Sequence, residues 1–220
     1  MMRHWAFGAV LLLLTTVPTA AGEVSGGPKL AVGDYSYRGP DWQAASDFFG
    51  YRNQMSVSAC GGFFLRILTT SFFGQNALPY GLEADVLFHI SSFQYGTSRD
   101  DWVRYTYAYI SVPLYARFNF PFGSGVGWFM MGGPDVKLFF DTYWGKDSSG
   151  NTAESSLRAE DRKHLLFGAA LSTGVYIPTG GGTLDVGLGF NTTFSRSDVD
   201  NTWKRYNNGL EIQFAFGFPF

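Results

Sequence analysis

The sequence contains little charge and almost no cysteine, and both shortages limit what the chain can be. Its single cysteine, Cys60, excludes an internal disulfide framework. Charged residues make up 15% of the 220 residues, against about 25% in a typical soluble domain. The lysines and arginines form no run or stripe, so a nucleic-acid-binding function has no support. These shortages argue against a disulfide-stabilised secreted domain and a highly charged soluble enzyme.

Long apolar runs and recognisable ligand motifs are also missing. No segment after the first residues offers about 18 consecutive apolar residues, so no transmembrane helix is predicted. Histidines number three, and His89 and His164 lie far apart in the sequence. With one cysteine, these are too few soft ligands to predict a zinc cluster. No phosphate-binding loop or dinucleotide fingerprint occurs. The sequence therefore predicts neither a metal nor a cofactor.

The first 21 residues have the features of a secretion signal. Arg3 and His4 form a basic start, residues 5–17 are apolar, and small residues follow up to position 22. An apolar core of this length is typical of a signal peptide and too short to span a bilayer. We therefore predict a signal peptide over 1–21 and one domain over 22–220. An uncleaved N-terminal anchor is the alternative interpretation.

The last eleven residues, LEIQFAFGFPF, alternate between two kinds of side chain. Because successive side chains of a strand point to opposite faces, one face of this segment is wholly apolar. The other face carries Glu211, Gln213, Ala215 and Gly217. The same alternation recurs along most of the chain. It predicts eight strands near 29–38, 53–68, 80–95, 103–120, 126–143, 163–177, 183–197 and 207–220.

The connections between these strands alternate in length. Three are mostly short, at 71–79, 121–125 and 178–182, and four are longer and more polar, at 39–52, 96–102, 144–162 and 198–206. Bacterial outer-membrane barrels have short periplasmic turns and longer outer loops. We therefore predict an all-β protein, an eight-stranded antiparallel up-and-down transmembrane β-barrel of the bacterial outer membrane. Both termini are expected to be periplasmic.

The polar faces of the predicted strands should line the barrel interior. An eight-stranded barrel is just wide enough inside for side chains to fill it. Nine ionisable residues are predicted to form a polar network there: Arg66, Glu83, Asp85, His89, Arg117, Asp135, Lys137, Asp185 and Glu211. This network predicts a plugged core, and a narrow ion pathway lined by the same groups is the alternative.

Two neighbouring segments carry a resemblance to a known family. They are YISVPLYARFNFPF at 109–122 and WFMMGGPDVKLFF at 128–140, with Pro113, Gly133 and Pro134 at the characteristic positions. The chain resembles the outer membrane protein β-barrel domain of the PorT type, and is similar in size to small OmpA- and OmpX-like barrels of Gram-negative bacteria. The resemblance implies the fold and no catalytic residue. Resemblance to other barrels also implies that Phe216, Phe218 and Phe220 form the signal recognised by the barrel assembly machinery.

The predicted function is a structural or surface-binding role without catalysis. Outer-membrane lipids and lipopolysaccharide are the expected surroundings, and the long polar loop at 144–162 is the first candidate site for a surface ligand or protein partner. The alternative is a small porin-like pore or a component of a secretion apparatus, as the PorT resemblance suggests. A third interpretation is a lipid A-modifying enzyme, because His89 and Ser91 could pair as base and nucleophile. Both should face the interior, which argues against it.

Overall fold

A computed structural model describes residues 22–38, 43, 47–48, 50, 52–69, 78–98, 100–122, 125–151, 164–195 and 206–220. The predicted signal peptide lies outside the described residues. Eight strands account for most of the described chain. They are β1 (Glu23–Arg38), β2 (Arg52–Thr69), β3 (Tyr80–Gly96), β4 (Trp102–Pro121), β5 (Gly127–Asp147), β6 (Leu165–Thr179), β7 (Gly182–Thr193) and β8 (Tyr206–Pro219).

The strands form one closed barrel in which each strand pairs with its sequence neighbours. Closure comes from the antiparallel pairing of β1 with β8, where Lys29 lies opposite Ala215 and Tyr35 opposite Gly209. A closed sheet has no unpaired edge, and a structure surrounded by lipid needs this because no water is available to bind free backbone groups. The predicted all-β, eight-stranded up-and-down barrel is confirmed.

Three predicted strand boundaries were wrong. β1 begins at Glu23 rather than 29, because pairing with β2 and β8 overrides the poor alternation of its Gly-Gly-Pro segment. β5 continues to Asp147, paired with β4, so residues 144–147 belong to the wall and not to the predicted loop 144–162. β7 ends at Thr193 rather than 197. Residues 152–162 of that loop lie outside the described residues.

The two ends of the barrel differ in their connections. One end, here called the terminal end, holds both chain termini and the connections β2–β3, β4–β5 and β6–β7, the last a two-residue turn at Gly180 and Gly181. The opposite end, the loop end, holds the other four connections. Aromatic pairs lie near the terminal end: Phe120 stacks on Trp128, with ring centroids 5.0 Å apart.

The outer surface of the wall is apolar. Its exposed apolar side chains come from every strand and include Leu30, Phe63, Leu82, Val86, Leu114, Phe118, Met130, Phe140, Phe167, Leu171, Leu188, Leu210, Ile212 and Phe214. The interior, in contrast, holds most of the buried polar and charged residues of the described chain. This polarity is the reverse of a water-soluble barrel and matches a wall surrounded by lipid. No helix among the described residues is long and apolar enough to cross a membrane.

Candidate functional site in the barrel interior

The nine residues predicted to line the lumen all lie in the interior, at 0–5% exposure. Strand alternation explains this placement, since side chains two positions apart share a face. Along β3, for example, Glu83, Asp85, His89 and Ser91 follow one another from the terminal end toward the loop end, and all four are buried. The interior therefore divides into layers along the barrel axis.

The layer nearest the terminal end, here called the charged layer, consists of Lys29, Arg66, Glu83, Asp85, Arg117 and Asp185. Glu83 is its centre and accepts hydrogen bonds from three cations. Arg66 Nε donates at 2.8 Å, Arg117 Nη1 at 2.9 Å and Lys29 Nζ at 3.2 Å. These bonds join β1, β2, β3 and β4 across the lumen. Charges removed from water need such pairing, because an unpaired buried ion is strongly destabilising.

Asp185 on β7 completes the charged layer from the opposite wall. It accepts a hydrogen bond from Arg117 Nη1 at 2.7 Å and another from Arg66. Arg117 also donates from Nε to Asn119 at 2.8 Å, and its guanidinium lies 4.2 Å from the centroid of the Phe129 ring. An arginine with this many contacts across the lumen ties opposite strands together.

Sequence reasoning missed Lys29, although it is one of the most buried cations. Its Nζ donates to Asp85 at 2.6 Å, and the residue is 2% exposed. The residue lies in the Gly-Gly-Pro-Lys segment of β1, where alternation is weak, so its face could not be read from the pattern. The one available signal of a missing interior cation was the charge count, because the nine predicted residues include five acids but only three lysines and arginines.

A middle layer follows, formed by Cys60, His89, Asp135, Lys137 and Glu211. Asp135 accepts a hydrogen bond from Ser111 at 2.7 Å and lies 3.6 Å from Lys137 Nζ. Lys137 in turn donates to Asn191 Oδ1 at 2.6 Å. This part of the layer pairs its acid and base directly, as the charged layer does.

Cys60, His89 and Glu211 form the other part of the middle layer. One potential ligand atom from each side chain lies within 4.8 Å of the others, and all three residues are buried. Cys60 and His89 are direct cross-strand partners in the β2–β3 ladder. Glu211 on β8 reaches them across β1, where the intervening interior positions are Ala31 and Gly33.

The small residues of β1 make this approach possible. A Cβ atom at Gly33 would lie 2.0 Å from the carbonyl oxygen of Leu210, so only glycine lets β8 pass this closely. Ala31, the small residue opposite Cys60 on β1, packs with Cys60 and Leu87 in one buried cluster. The sequence-based argument against a metal cluster considered spacing along the chain and could not detect this convergence of three strands.

An aromatic layer closes the lumen toward the loop end. Tyr35, Tyr107, Tyr109, Phe139 and Leu166 form one buried cluster. Tyr109 stacks on Phe139 with ring centroids 4.7 Å apart, and on the His89 imidazole at 4.5 Å. The imidazole is therefore held flat beneath the aromatic cluster by a nearly parallel ring.

His89 and Ser91 do not form the base–nucleophile pair of the enzyme interpretation. Ser91 Oγ donates instead to Ser58 Oγ at 2.9 Å, and neither nitrogen of His89 has a hydrogen-bond partner among the residues that the structure describes. Both side chains face the interior and are at most 2% exposed, away from any lipid substrate. A nucleophile and its base need to lie within hydrogen-bond reach of each other and of the substrate.

In the part of the chain that the structure describes, the terminal end of the lumen is open down to the charged layer. A cavity of about 650 Å³ lies there, lined by Arg66, Asn119, Tyr176 and residues of the β6–β7 turn, among others. Beyond it, the interior cavities beside Lys29 and Glu83 and beside His89 and Glu211 are each about 10 Å³. One such volume holds about one water molecule.

A family model described as "Outer membrane protein beta-barrel domain" matches residues 43–199. The chain belongs to this family. This membership identifies the apolar outer surface as the face in contact with outer-membrane lipid. No curated protein sequence matches the chain.

Several solved structures are similar to this outer-membrane barrel. One is Ail, the attachment invasion locus protein of Yersinia pestis, in complex with the heparin analogue sucrose octasulfate. It matches at 14% identity, with 90% of this chain and 99% of that chain covered and a TM-score of 0.40. Neisserial surface protein A matches at 15% identity, 90% and 97% coverage and a TM-score of 0.37. The outer membrane protein OprG from Pseudomonas aeruginosa matches at 11% identity, with 90% of this chain and 93% of that chain covered and a TM-score of 0.42. Similarities at this level carry no information about function.

Proposed function

We propose that this outer-membrane barrel is a sealed, non-catalytic anchor whose loop-end connections meet a ligand or partner at the cell surface. The observation that carries the proposal is the filling of the lumen. The charged layer joins strands from opposite walls through Arg117 and Asp185, and the aromatic layer around Tyr109 covers the middle layer. With the interior occupied by paired side chains, the connections at the ends remain as the variable surfaces available for binding.

Conductance separates this proposal from the pore and secretion-apparatus alternatives. Purified full-length protein, folded in detergent, is reconstituted into planar lipid bilayers, with a known porin as the positive control in the same bilayers. We expect no stable single-channel conductance, because the cavity beside Lys29 and Glu83 and the cavity beside His89 and Glu211 each have room for about one water molecule. Stable channels in the wild-type protein would overturn the sealed barrel and favour a transport role.

The proposed partner site at the loop end is the connection between β5 and β6. Asp147 is the last residue of β5, and its carboxylate stabilises the turn that follows. It accepts hydrogen bonds from the backbone N–H groups of Ser149 and Asn151, at 2.9 and 2.8 Å. Deleting residues 152–162 leaves this turn in place. We expect the variant to fold and insert but to lose partners recovered with the wild-type protein from native outer membranes and identified by mass spectrometry. A variant that no longer folds would contradict the assignment of this segment to a loop.

We also propose that the terminal end faces the periplasm, as the short connections there suggest. Orientation is testable with introduced cysteines, because the native Cys60 is 7% exposed inside the barrel. Ser148→Cys at the loop end should react with a membrane-impermeant maleimide on intact cells. Gly180→Cys at the terminal end is the matched control and should react after the outer membrane is opened, because no described residue lies within 4 Å of a Cβ added there. The reverse pattern would invert the proposed topology.

The final strand is proposed to carry the assembly signal. Phe218 and Phe220 are exposed on the outer surface at 49% and 84%, and Phe216 stacks edge-to-face on Phe218 at 4.8 Å. Phe220→Glu should lower the amount of membrane-inserted protein in cells. Phe122→Glu, an exposed phenylalanine at the same end of the barrel, is the control for loss of an aromatic side chain at the membrane interface. Equal insertion of both variants would remove the special role of the last residue.

A further inference from the structure

We propose that Cys60, His89 and Glu211 form a binding site for a divalent transition metal ion of the zinc class in the barrel interior. The three side chains offer a sulfur, an imidazole nitrogen and a carboxylate oxygen within 4.8 Å of one another. His89 Nδ1 already lies 3.7 Å from Glu211 Oε1. Ligands of a tetrahedral zinc ion lie about 3.3–3.6 Å apart at the usual bond lengths. The site therefore needs a contraction of about 1 Å at its widest pair.

The unpartnered state of His89 is the observation that points to a ligand. Its side chain is 2% exposed, yet neither ring nitrogen has a hydrogen-bond partner among the described residues. Buried polar groups in proteins are almost always hydrogen-bonded, and an exception needs an explanation such as an ion or a water molecule. The Tyr109 ring stacks on the imidazole and fixes its plane, which preorganises the ring for a ligand at its edge.

The distribution of charge in the lumen supports the same assignment. Among the described residues, five buried carboxylates face four buried lysines and arginines. Glu211 is the buried carboxylate that has no lysine or arginine within 4.0 Å in the described part of the chain, and its one ion-pair neighbour is His89. A positive charge stabilises a carboxylate in this position, and a metal ion beside it supplies that charge.

Metal binding also balances the buried charges of the described residues. When the ion binds, the Cys60 thiol forms a sulfur–metal bond and releases its proton to solvent. The ion's two positive charges then neutralise the Cys60 thiolate and the Glu211 carboxylate. The remaining four carboxylates match the four buried bases. No other residue has to change its charge.

The ligand types select the metal class. Thiolate and imidazole favour zinc and similar borderline ions over magnesium or calcium, which prefer oxygen ligands. A cavity of about 10 Å³ is lined by both His89 and Glu211. It has room for one water molecule, which would take the fourth position of a tetrahedral ion. Because the charged and aromatic layers enclose the site on both sides, we expect the ion to be loaded while the barrel folds.

The test uses the full-length protein refolded into detergent micelles with Zn²⁺, with Co²⁺ or with a chelator. After removal of free metal, elemental analysis should give one zinc per folded chain. The cobalt form should show a thiolate-to-metal charge-transfer absorption band. Cys60 is the only cysteine in the sequence, so that band reports this site alone. Absence of both signals in folded wild-type protein would overturn the proposal.

Variants identify the ligands. Cys60→Ser should abolish the charge-transfer band. His89→Phe, which keeps the stacked ring, and Glu211→Gln should each weaken zinc binding at least about tenfold. Even the loss of a residue that only hydrogen-bonds to a ligand typically lowers metal affinity about 10- to 100-fold. Ser58→Ala, two positions before Cys60 on the same interior face, is the matched control and should bind normally. Circular dichroism of each variant checks that the barrel has formed.

The variants also include results that reject the site. Equal zinc content in wild-type protein and in folded Cys60→Ser would assign the ion to another location. Should Cys60→Ser fail to fold, the cobalt band of the wild-type protein still decides, because no other sulfur ligand except methionine exists in the chain. A wild-type cobalt spectrum with no thiolate band would then exclude Cys60 as a ligand.

Discussion

The charged layer and the Cys60–His89–Glu211 cluster bury similar groups but pair them differently. In the charged layer, Glu83 receives hydrogen bonds from three permanent cations. In the cluster, Glu211 has His89 as its nearest ionisable base and Asn191 as a long hydrogen-bond donor, at 3.5 Å. Each carboxylate of the charged layer has a lysine or arginine partner, whereas Glu211 has neither within 4.0 Å in the described part of the chain. The difference suggests that the first layer holds the fold together and the second is available for a ligand.

The same Glu→Gln substitution at Glu83 and at Glu211 should give the largest difference in free energy of unfolding. Glu83→Gln removes the charge that three cations share, and we expect it to lower the free energy of unfolding by about 3–5 kcal/mol, the cost of breaking a buried ion pair. Glu211→Gln in chelator should change it by less than about 1 kcal/mol, because the amide keeps the size of the side chain and no lysine or arginine loses a partner. Urea unfolding in detergent measures both. Equal losses would show that Glu211 is paired in a way that the structure does not reveal.

Zinc should stabilise the folded barrel through the cluster alone. Refolded wild-type protein should gain about 2.7 kcal/mol of unfolding free energy at a free zinc concentration 100 times the dissociation constant. Glu211→Gln should gain much less at the same concentration, and Ser58→Ala should gain as much as wild type. Urea titrations with and without zinc provide the comparison. If zinc raises the unfolding free energy of Glu211→Gln as much as that of wild type, the stabilisation comes from another site.

Lys29 and Asp85 test whether the charged layer depends on specific pairs. Lys29 Nζ donates to Asp85 at 2.6 Å, so Lys29→Met leaves that carboxylate without its base. We expect the double variant Lys29→Met, Asp85→Asn to recover about 1–3 kcal/mol of the loss caused by Lys29→Met alone, a coupling typical of residues in direct contact. A double-mutant cycle by urea unfolding measures the recovery. Simple additivity of the two substitutions would contradict a direct pair.

Ser91→Ala should lower the free energy of unfolding only slightly. Its hydroxyl donates one hydrogen bond, to Ser58 at 2.9 Å, and a typical intramolecular bond contributes about 1 kcal/mol. The lipid A of cells that express this variant should match that of cells with wild-type protein when analysed by mass spectrometry. A changed lipid A pattern would revive the enzymatic interpretation of His89 and Ser91, which the geometry of the interior argues against.

Strand alternation allowed much of the interior to be predicted, and its weak places caused the omissions. Arg66, Arg117 and Asp185 were placed inside because their strands alternate regularly. Lys29 was missed where β1 contains Gly26, Gly27 and Pro28, since residues without a long side chain carry no pattern. The signal peptide over 1–21, the assembly role of Phe220 and the partner site at the loop end stay predictions.

The sequence by itself determined which side chains share a face in the strands whose polar and apolar residues alternate regularly. That property follows from the two-residue period of a strand, so it depends on local order alone. The tertiary structure decided which interior residues meet. Cys60 and His89 become neighbours through the β2–β3 register, and Glu211 joins them because β8 closes against β1 at Gly33. Register and closure depend on pairing between distant segments, which no local pattern contains.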